Sequence, residues 1–279
     1  MTDGVYRMPE FLIIGAMKAG TTSLFRWLES TGAVGFPAVK EPNFFTDHYE
    51  KGLDWYGSQF SGLPAGIPVG EASVAYSDPV VAAEVATRIR EAIPKVKLIF
   101  LARNPTDRLR SHYRHEVQRR RETRRFEQAV TDPEAGYLRR SLYGQALTPY
   151  LAEFEPPQLL VIEFSELLSG TGFETVLAHL GLPPRPRPAE DYNITADKRR
   201  FTPLARWAFE QRWTSRLARL PKPVRRLAKS LTTRADPAYE AALRQSEDAP
   251  LPEPVIQQLL ADVSLLEALL GRQFGWILR

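Results

Sequence analysis

Apolar and polar residues alternate along the chain in blocks that predict strands followed by helices. Continuous apolar runs at Phe11–Ala16, Val96–Ala102 and Gln158–Phe164 are typical of strands that are covered on both faces. The segment Thr21–Ser30, directly after the first run, has the spacing of a helix. Strands that alternate with helices pair in parallel, so the pattern predicts an α/β fold, a three-layer sandwich around a central parallel sheet.

Less regular segments between these runs predict further elements. We expect strands at Val34–Val39 and within Val69–Tyr76, and a helix over Tyr137–Glu153. Asp78 as N-cap and Pro79 at the first helical position predict a helix start. The apolar residues that follow are spaced at intervals of four, as in one face of a helix: Val81, Val85, Ile89 and Ile93.

The C-terminal part of the chain has a different character. Pro183–Pro188 is a stiff, proline-rich stretch, and Glu253–Leu270 is an amphipathic helix, so this part is predicted to be helical. One stripe of that helix carries Val255, Leu259, Val263, Leu266 and Leu270. We predict a single domain over residues 1–279, within which residues 190–235 form a basic lid or insertion.

Composition narrows the classes of function. The chain of 279 residues has no cysteine, which excludes a disulfide framework, a cysteine-based metal site and a cysteine nucleophile. The N-terminal residues show no basic region followed by an apolar run, and no stretch approaches the length of a membrane span. We therefore expect a cytoplasmic protein with no membrane partner.

The net charge of +4 is unevenly distributed. The segment Lys198–Arg234 holds twelve Lys and Arg against one Glu, a charge of +11, while the rest of the chain carries −7. A mildly acidic protein with one basic segment indicates a small anionic ligand more than a nucleic acid, so no nucleic-acid partner is expected. Nothing in the sequence indicates an oligomeric state.

A glycine-rich loop follows the first predicted strand. Gly15 and Gly20 have the spacing of the P-loop motif Gly-x-x-x-x-Gly-Lys-Ser/Thr, which predicts a P-loop-type sandwich with an anion site at the helix N-terminus. The lysine is displaced, however: Thr21 follows the second glycine, and Lys18 precedes it by two residues. This arrangement argues against an ATP or GTP hydrolase.

The displaced lysine resembles the loop of sulfotransferases that use 3′-phosphoadenosine 5′-phosphosulfate (PAPS), in particular the heparan-sulfate-type and bacterial branch. The resemblance implies PAPS as co-substrate, 3′-phosphoadenosine 5′-phosphate (PAP) as product, and no metal. It also implies that the loop binds the 5′-phosphosulfate through Lys18, Ala19, Gly20, Thr21, Thr22 and Ser23.

Two further segments resemble the same family. Arg103 at a predicted strand end and Ser111 in the following helix match the family's 3′-phosphate site, and a guanidinium with a hydroxyl suits a phosphate chemically. Lys198, Arg200 and Pro203 match a Lys-Gly-Arg loop that closes over the same phosphate, with Arg199 in place of the glycine. The resemblance implies that Lys198, Arg199 and Arg200 bind the co-substrate.

Sulfuryl transfer needs a proton acceptor for the attacking group and cations on the leaving phosphate. The segment Lys40-Glu41-Pro-Asn-Phe-Phe resembles the family segment whose glutamate is the general base, which makes Glu41 the candidate base. His48 is the rival, because another branch of the family uses a histidine. Lys18 is the catalytic cation that the resemblance places on the bridging oxygen, and a second family lysine is replaced by Ala72.

These patterns predict a PAPS-dependent sulfotransferase that acts on a hydroxyl or amine of a small sugar-containing or natural-product acceptor. Two alternatives stay open on the sequence: a P-loop nucleotide kinase or NTPase, and a non-enzymatic binder of polyanions through the basic segment. The first alternative requires Mg-ATP binding, and the second requires salt-dependent association without any nucleotide.

Overall fold

The computed structural model describes residues 7–189, 200–201, 233–234, 240–241, 244–246 and 249–278. The chain divides into two compact units. The first comprises Met1–Arg108, Leu138–Asn193 and Glu253–Arg279; the second comprises Leu109–Tyr137 and Ile194–Pro252. The predicted single domain and its lid at 190–235 include residues outside the described ranges and stay predictions.

The first unit is built on a parallel sheet of four strands. Their order is β2 (Gly70–Glu71), β1 (Phe11–Gly15), β3 (Lys97–Ala102) and β4 (Leu159–Glu163). All of β1 and nearly all of β3 is buried, because helices flank the sheet and its strands therefore need apolar residues at every position. The predicted α/β fold with a central parallel sheet is confirmed.

The helices of the first unit pack in groups. Trp27 of α1 (Thr21–Thr31) meets Phe173 of α9 (Thr171–Leu180) edge to face, with ring centroids 6.1 Å apart. Helix α7 (Tyr143–Glu153) packs against both α4 (Ala82–Ala92) and α10 (Glu253–Leu270). Helix α10 buries Val255, Leu259 and Leu266, so the predicted C-terminal amphipathic helix is confirmed. Numbered over the described residues, the helices of this unit are α1 (Thr21–Thr31), α2 (Phe44–Asp47), α3 (Gly52–Ser58), α4 (Ala82–Ala92), α7 (Tyr143–Glu153), α8 (Phe164–Ser169), α9 (Thr171–Leu180) and α10 (Glu253–Leu270).

Helix α5 (Pro105–Gln118) begins in the first unit, and most of its residues belong to the second. The second unit also contains α6 (Phe126–Thr131) and a short antiparallel pair, β5 (Arg200–Phe201) and β6 (Thr233–Arg234). The ring of Tyr113 packs against Phe126 at 5.2 Å, which holds α5 and α6 together.

Two predicted strands are wrong or shorter than expected. Within Val34–Val39 only Gly35 bridges to Val69, because Pro37 has no N–H for a ladder and interrupts the pairing. Of Val69–Tyr76, only Gly70–Glu71 is a strand, since the chain then turns into a 3-10 helix at Val74–Ser77.

Two predicted helix starts are also wrong. Helix α4 begins at Ala82 after a turn over residues 78–81, in which Asp78 accepts from the Val80 N–H at 3.3 Å. The same carboxylate also binds two arginines from a distant segment. Helix α7 begins at Tyr143 rather than Tyr137, after a 3-10 turn at Arg139–Ser141. Its first N–H groups are capped from α10 by Asp262, which accepts hydrogen bonds from the backbone of Gly144 (2.8 Å) and Gln145 (2.9 Å).

The strand order marks where a ligand binds. The chain leaves β1 for β2 on one side and then crosses to β3 on the other side, so β1 and β3 flank the point at which the order reverses. In open parallel sheets, ligands bind outside the carboxyl ends of the strands at such a point. The glycine-rich loop follows β1 and Arg103 follows β3, so both lie at this edge.

Candidate active site

The loop between β1 and α1, residues 16–20, has the backbone of an anion-binding turn. Lys18 (φ 71°) and Gly20 (φ 98°) both adopt the left-handed conformation, which is uncommon for lysine. Gly20 is required here twice over, because an added Cβ would also lie 2.8 Å from the ring of Phe164. Gly20 is the N-cap of α1 and has no side chain that could occupy the first N–H groups of the helix, which are the groups that bind anions at helix N-termini.

The side chains of this phosphate loop, residues Ala16–Ser23, differ in exposure. Ala19 is fully buried, and Thr21 and Ser23 are nearly so, while Thr22 is half-buried. The hydroxyl of Thr22 lies 3.5 Å from the ammonium of Lys40. The phosphate loop is therefore in contact with the segment that carries Glu41.

Arg103 lies alongside the phosphate loop. Its Nη1 donates to the backbone oxygen of Lys18 at 3.4 Å, and its guanidinium stands over the ring of Phe164 at 5.1 Å. Asn104 accepts hydrogen bonds from the N–H (3.0 Å) and hydroxyl of Thr106 and so caps α5. The structure thus brings together Lys18 and Arg103, which sequence analysis drew from different motifs.

Ser111 lies on α5 in the second unit, where it is buried. The adjacent His112 is buried against the ring of Tyr137 at 4.6 Å within the same unit. Lys198 and Arg199 lie outside the described residues, and Arg200 is described only as a backbone position in β5. The phosphate-binding roles of Ser111, Lys198, Arg199 and Arg200 stay predictions.

Glu41 is linked to the phosphate loop through its neighbour. The ammonium of Lys40 lies 2.8 Å from Oε1 of Glu41 and 3.5 Å from Oγ1 of Thr22. The rival base, His48, lies in the turn after α2, where its ring meets Trp55 edge to face at 5.4 Å. Of the two candidate bases, Glu41 is the one linked to the phosphate loop through Lys40 and Thr22.

A buried carboxylate, Glu71, lies behind this segment. Its Oε1 accepts hydrogen bonds from the hydroxyls of Tyr56 (2.6 Å) and Tyr76 (2.7 Å), and its Oε2 accepts from Ser73 (2.5 Å). Burial raises the pKa of Glu71 to about 7, although the three hydroxyls favour the charged form, and the nearby Glu41 carboxylate adds to the rise. The sequence patterns above did not predict this buried network. Its one sign in the sequence is an acidic residue inside a buried strand, followed closely by a serine and a tyrosine.

A second feature that sequence analysis missed is a cluster of two arginines on Asp78. Asp78 accepts hydrogen bonds from Arg139 (2.9 Å) and Arg140 (2.8 Å), and Nη1 of Arg140 lies 4.0 Å from the sulfur of Met17 in the phosphate loop. Burial alone would raise the pKa of Asp78, but the hydrogen bonds from both arginines hold it below its usual value. Arg140 therefore adds positive charge beside the phosphate loop.

Arg108 contributes a further cation at the start of α5. Its side chain is fully buried, and its Nε donates to the hydroxyl of Ser141 at 2.8 Å. Burial lowers the pKa of Arg108 to about 10, which still leaves the guanidinium charged at neutral pH. The hydroxyl of Ser141 thus fixes the orientation of this buried guanidinium.

The raised pKa of Glu71 predicts a pH dependence of stability. Because the folded-state pKa is about 7 and the ordinary value is 4.5, the contribution of Glu71 is fully present below pH 4.5 and is lost as the pH rises through 7. The free energy of unfolding of the wild type minus that of Glu71→Gln is expected to fall by about 3 kcal/mol from about pH 4.5 to about 8.

Urea unfolding at a series of pH values measures this difference. Glu84→Gln, which removes an exposed carboxylate paired with Arg88, is the matched control and is expected to show a difference that stays nearly constant. A constant difference for Glu71→Gln across the same range would contradict the predicted protonation of Glu71.

The described part of the chain has neither a membrane-spanning helix nor a cluster of metal ligands. Among the helices in the described ranges, none is both long and apolar enough to cross a bilayer. Among the side chains in those ranges, no group of three or more His, Asp or Glu is arranged to hold a metal ion.

Comparison with known proteins identifies similar chains. The family model for "Sulfotransferase domain" matches residues 8–184. Mouse bifunctional heparan sulfate N-deacetylase/N-sulfotransferase 1 is 32% identical over 182 residues, which cover 56% of this chain and 20% of the mouse protein. Mouse heparan sulfate glucosamine 3-O-sulfotransferase 5 is 31% identical over 208 residues, which cover 69% of this chain and 58% of the mouse protein.

A solved structure supports the same fold. The sulfotransferase from Alicyclobacillus acidocaldarius superposes with a TM-score of 0.67 and 24% identity, over 96% of this chain and 98% of that one. In contrast, the chain spans less than two thirds of the length of the two mouse relatives. Their additional regions have no counterpart in these matches.

Proposed function

The chain belongs to the sulfotransferase domain family, and from this premise we propose that it moves the sulfuryl group of PAPS to a hydroxyl or amine of a small sugar-containing or natural-product acceptor. The observation that carries the proposal is the position of Lys40, whose ammonium contacts both the Glu41 carboxylate and the Thr22 hydroxyl. A proton acceptor is thereby held at the phosphate loop. Sulfuryl transfer needs this combination.

The phosphate loop suits the 5′-phosphosulfate. The N-cap of α1, Gly20, has no side chain that would cap the helix, and the left-handed turn at Lys18 shapes the loop before it. Helix N–H groups with Thr21 and Thr22 would hold the 5′-phosphate, and Lys18 would donate to the oxygen that bridges phosphorus and sulfur. Arg103, beside Lys18, and Ser111 are the residues that we propose for the 3′-phosphate, with Lys198, Arg199 and Arg200 closing over it.

Glu41 supplies the proton acceptor in this scheme. The acceptor oxygen or nitrogen forms a bond to sulfur while its proton passes to the Glu41 carboxylate. The bond between sulfur and the bridging oxygen breaks, and Lys18 stabilises the negative charge that this oxygen gains. The products are the sulfated acceptor and PAP.

Lys40 compensates for a family lysine that this chain lacks. Ala72 stands at that position and is fully buried, and its backbone N–H donates to the backbone oxygen of Lys40 at 3.2 Å. The ammonium of Lys40 then reaches Thr22 from this neighbouring point. We propose that Lys40 provides the positive charge that the missing lysine provides in the family.

The range of acceptors follows from the relatives and from the chemistry. One mouse relative is named for N-sulfation and the other for 3-O-sulfation of heparan sulfate, which supports a sugar hydroxyl or amine as the reacting group. A small acceptor in the cytoplasm stays our expectation. The first acceptors to screen are therefore amino sugars and small glycosides.

Ligand-induced thermal stabilisation tests the nucleotide specificity of the proposal. A ligand at about 100 times its Kd stabilises the folded state by about 2.7 kcal/mol, which raises Tm by several degrees in a chain of this size. We expect PAP to raise Tm and Mg-ATP to leave it nearly unchanged, because Thr21 replaces the lysine that contacts the β- and γ-phosphates in ATPases. A shift with Mg-ATP and none with PAP would support the nucleotide kinase or NTPase and overturn the proposal.

A further inference from the structure

The segment that carries Glu41 is fastened to the segment after β2 by three hydrogen bonds. The N–H of Ala72 donates to the backbone oxygen of Lys40 (3.2 Å). The N–H of Asn43 donates to the hydroxyl of Ser73 (3.1 Å), and the N–H of Phe45 donates to the hydroxyl of Tyr76 (3.3 Å). In two of these three hydrogen bonds, the acceptor is thus a side-chain hydroxyl.

Both hydroxyls that hold the Glu41 segment also contact Glu71. Each donates its single proton to the carboxylate, Ser73 to Oε2 at 2.5 Å and Tyr76 to Oε1 at 2.7 Å. Above its raised pKa of about 7 the Glu71 carboxylate is ionised and can only accept hydrogen bonds, so in that pH range it fixes the direction of both O–H bonds. The lone pairs of the two oxygens are then free to accept from the N–H groups of Asn43 and Phe45.

From this arrangement we propose that Glu71 is a positioning residue for catalysis, which orients Ser73 and Tyr76 so that they hold the Glu41 segment against the phosphate loop. The inference rests on the proposed function, since it takes Glu41 as the base. It adds a residue that touches neither substrate and acts on Glu41 through two hydroxyls.

Because the network is buried, the hydrogen bonds to Asn43 and Phe45 depend on the direction of these hydroxyls. Glu71, Ser73 and Tyr76 are all fully buried, and Phe44 stacks on Tyr56 with ring centroids 4.3 Å apart, which closes the network from the side. Water therefore cannot replace a hydroxyl that turns the wrong way. Asn43 adopts a left-handed conformation (φ 50°), which is uncommon for a residue other than glycine and depends on its surroundings.

Glu71→Gln disturbs the direction of the Ser73 and Tyr76 O–H bonds and leaves the size of the side chain at position 71 unchanged. The amide has the shape of the carboxylate, but one of its two ends is a donor. If the NH₂ group faces Ser73, the anchor of Asn43 weakens; if it faces Tyr76 and Tyr56, the anchor of Phe45 weakens. In either orientation one hydroxyl must turn, and its hydrogen bond from a backbone N–H of the Glu41 segment weakens because the glutamine NH₂ group donates to the same oxygen.

Tyr56→Phe is the matched control. It removes a buried hydrogen bond to Glu71 of similar length (2.6 Å) and retains the ring that stacks on Phe44. Tyr56 is not one of the two hydroxyls that accept from Asn43 and Phe45, so its loss leaves both anchors in place. Ser73→Ala removes the Asn43 anchor directly and is expected to reproduce part of the Glu71→Gln effect.

The experiment compares these variants in the full chain by three measurements: amide hydrogen exchange at Asn43 and Phe45, affinity for PAP, and kcat with labelled PAPS and an acceptor that the wild type sulfates. For Glu71→Gln we expect exchange at Asn43 or Phe45 to become about tenfold faster and kcat to fall about tenfold, with the Kd for PAP within about twofold of the wild type. Tyr56→Phe should keep all three values near those of the wild type.

The proposal is overturned if Glu71→Gln leaves exchange at both amides and kcat unchanged, or if Tyr56→Phe reduces kcat as much as Glu71→Gln does. In the second case, the effect would come from loss of stability in the core rather than from orientation. If Glu71→Gln fails to fold, Ser73→Ala decides by the same criteria. A wild-type chain that neither binds PAP nor transfers sulfate would refute the proposed function, whereas exchange at Asn43 and Phe45 would still test the anchoring.

Discussion

Lys18→Ala is expected to lower kcat for sulfuryl transfer by about 10²- to 10³-fold, because it removes the donor that we place on the bridging oxygen as charge develops there. The loop backbone should keep its shape, since lysine and alanine have the same preference against the left-handed conformation that Lys18 adopts. Steady-state kinetics with labelled PAPS, together with the Kd for PAP, measure the effect. The Kd should change much less than kcat, because the interaction strengthens in the transition state.

Lys95→Ala is the control for Lys18→Ala. Lys95 is exposed and precedes β3, at the opposite end of that strand from Arg103. The substitution therefore removes one positive charge far from the phosphate loop. It is expected to retain the wild-type kcat. A Lys18→Ala variant that also keeps a wild-type kcat would contradict the role that we assign to Lys18.

Glu41→Gln is the second substitution with a large expected effect. The amide keeps a carbonyl oxygen that can accept from Lys40 but has no capacity to take a proton, so we expect kcat to fall by about 10²- to 10⁴-fold. The Kd for PAP should stay close to that of the wild type, because Glu41 acts on the acceptor. The same kinetic and binding measurements check both expectations.

Two further variants identify the base. Glu50→Gln removes an exposed carboxylate from the 3-10 turn after His48 and should leave kcat unchanged. His48→Gln should have only a small effect, because Glu41, and not His48, is linked to the phosphate loop through Lys40 and Thr22. Loss of activity in His48→Gln with retention in Glu41→Gln would assign the base to the histidine instead.

The fold could be predicted because its signals are local. Apolar runs that become β1, β3 and β4 are continuous in the sequence, and the stripe on α10 repeats within a single helix. The phosphate loop is likewise one short segment, so Lys18 and Gly20 could be recognised from their spacing alone.

The errors arise where distant residues decide the local structure. Asp78 keeps a hydrogen bond from the Val80 N–H, but it also forms several hydrogen bonds with Arg139 and Arg140. A hydrogen bond to a charged group contributes about 1.5–3 kcal/mol, whereas an N-cap contributes about 1 kcal/mol. The start of α7 depends in the same way on Asp262, which lies more than a hundred residues further along the chain. No pattern within either segment contains this information.

In the candidate site, too, the features within one short segment could be predicted and those formed between segments could not. Glu41 and Lys18 could be proposed from their motifs, but the bridge that Lys40 forms between Glu41 and Thr22 depends on how the two segments fold together. Glu71 is a stronger case, since its partners Tyr56, Ser73 and Tyr76 become a network only when the segments around β2 and α3 pack. A buried acidic residue in a strand was the one local sign of it.

Transfer of labelled sulfate from PAPS tests the central claim most directly. The wild-type chain is incubated with sulfur-labelled PAPS and a panel of amino sugars and small glycosides, beside Lys18→Ala and Glu41→Gln. We predict that label moves to at least one acceptor with the wild type and that both variants lose this transfer while they remain folded. Failure of the wild type to bind PAP, or transfer that persists undiminished in both variants, would contradict the assignment.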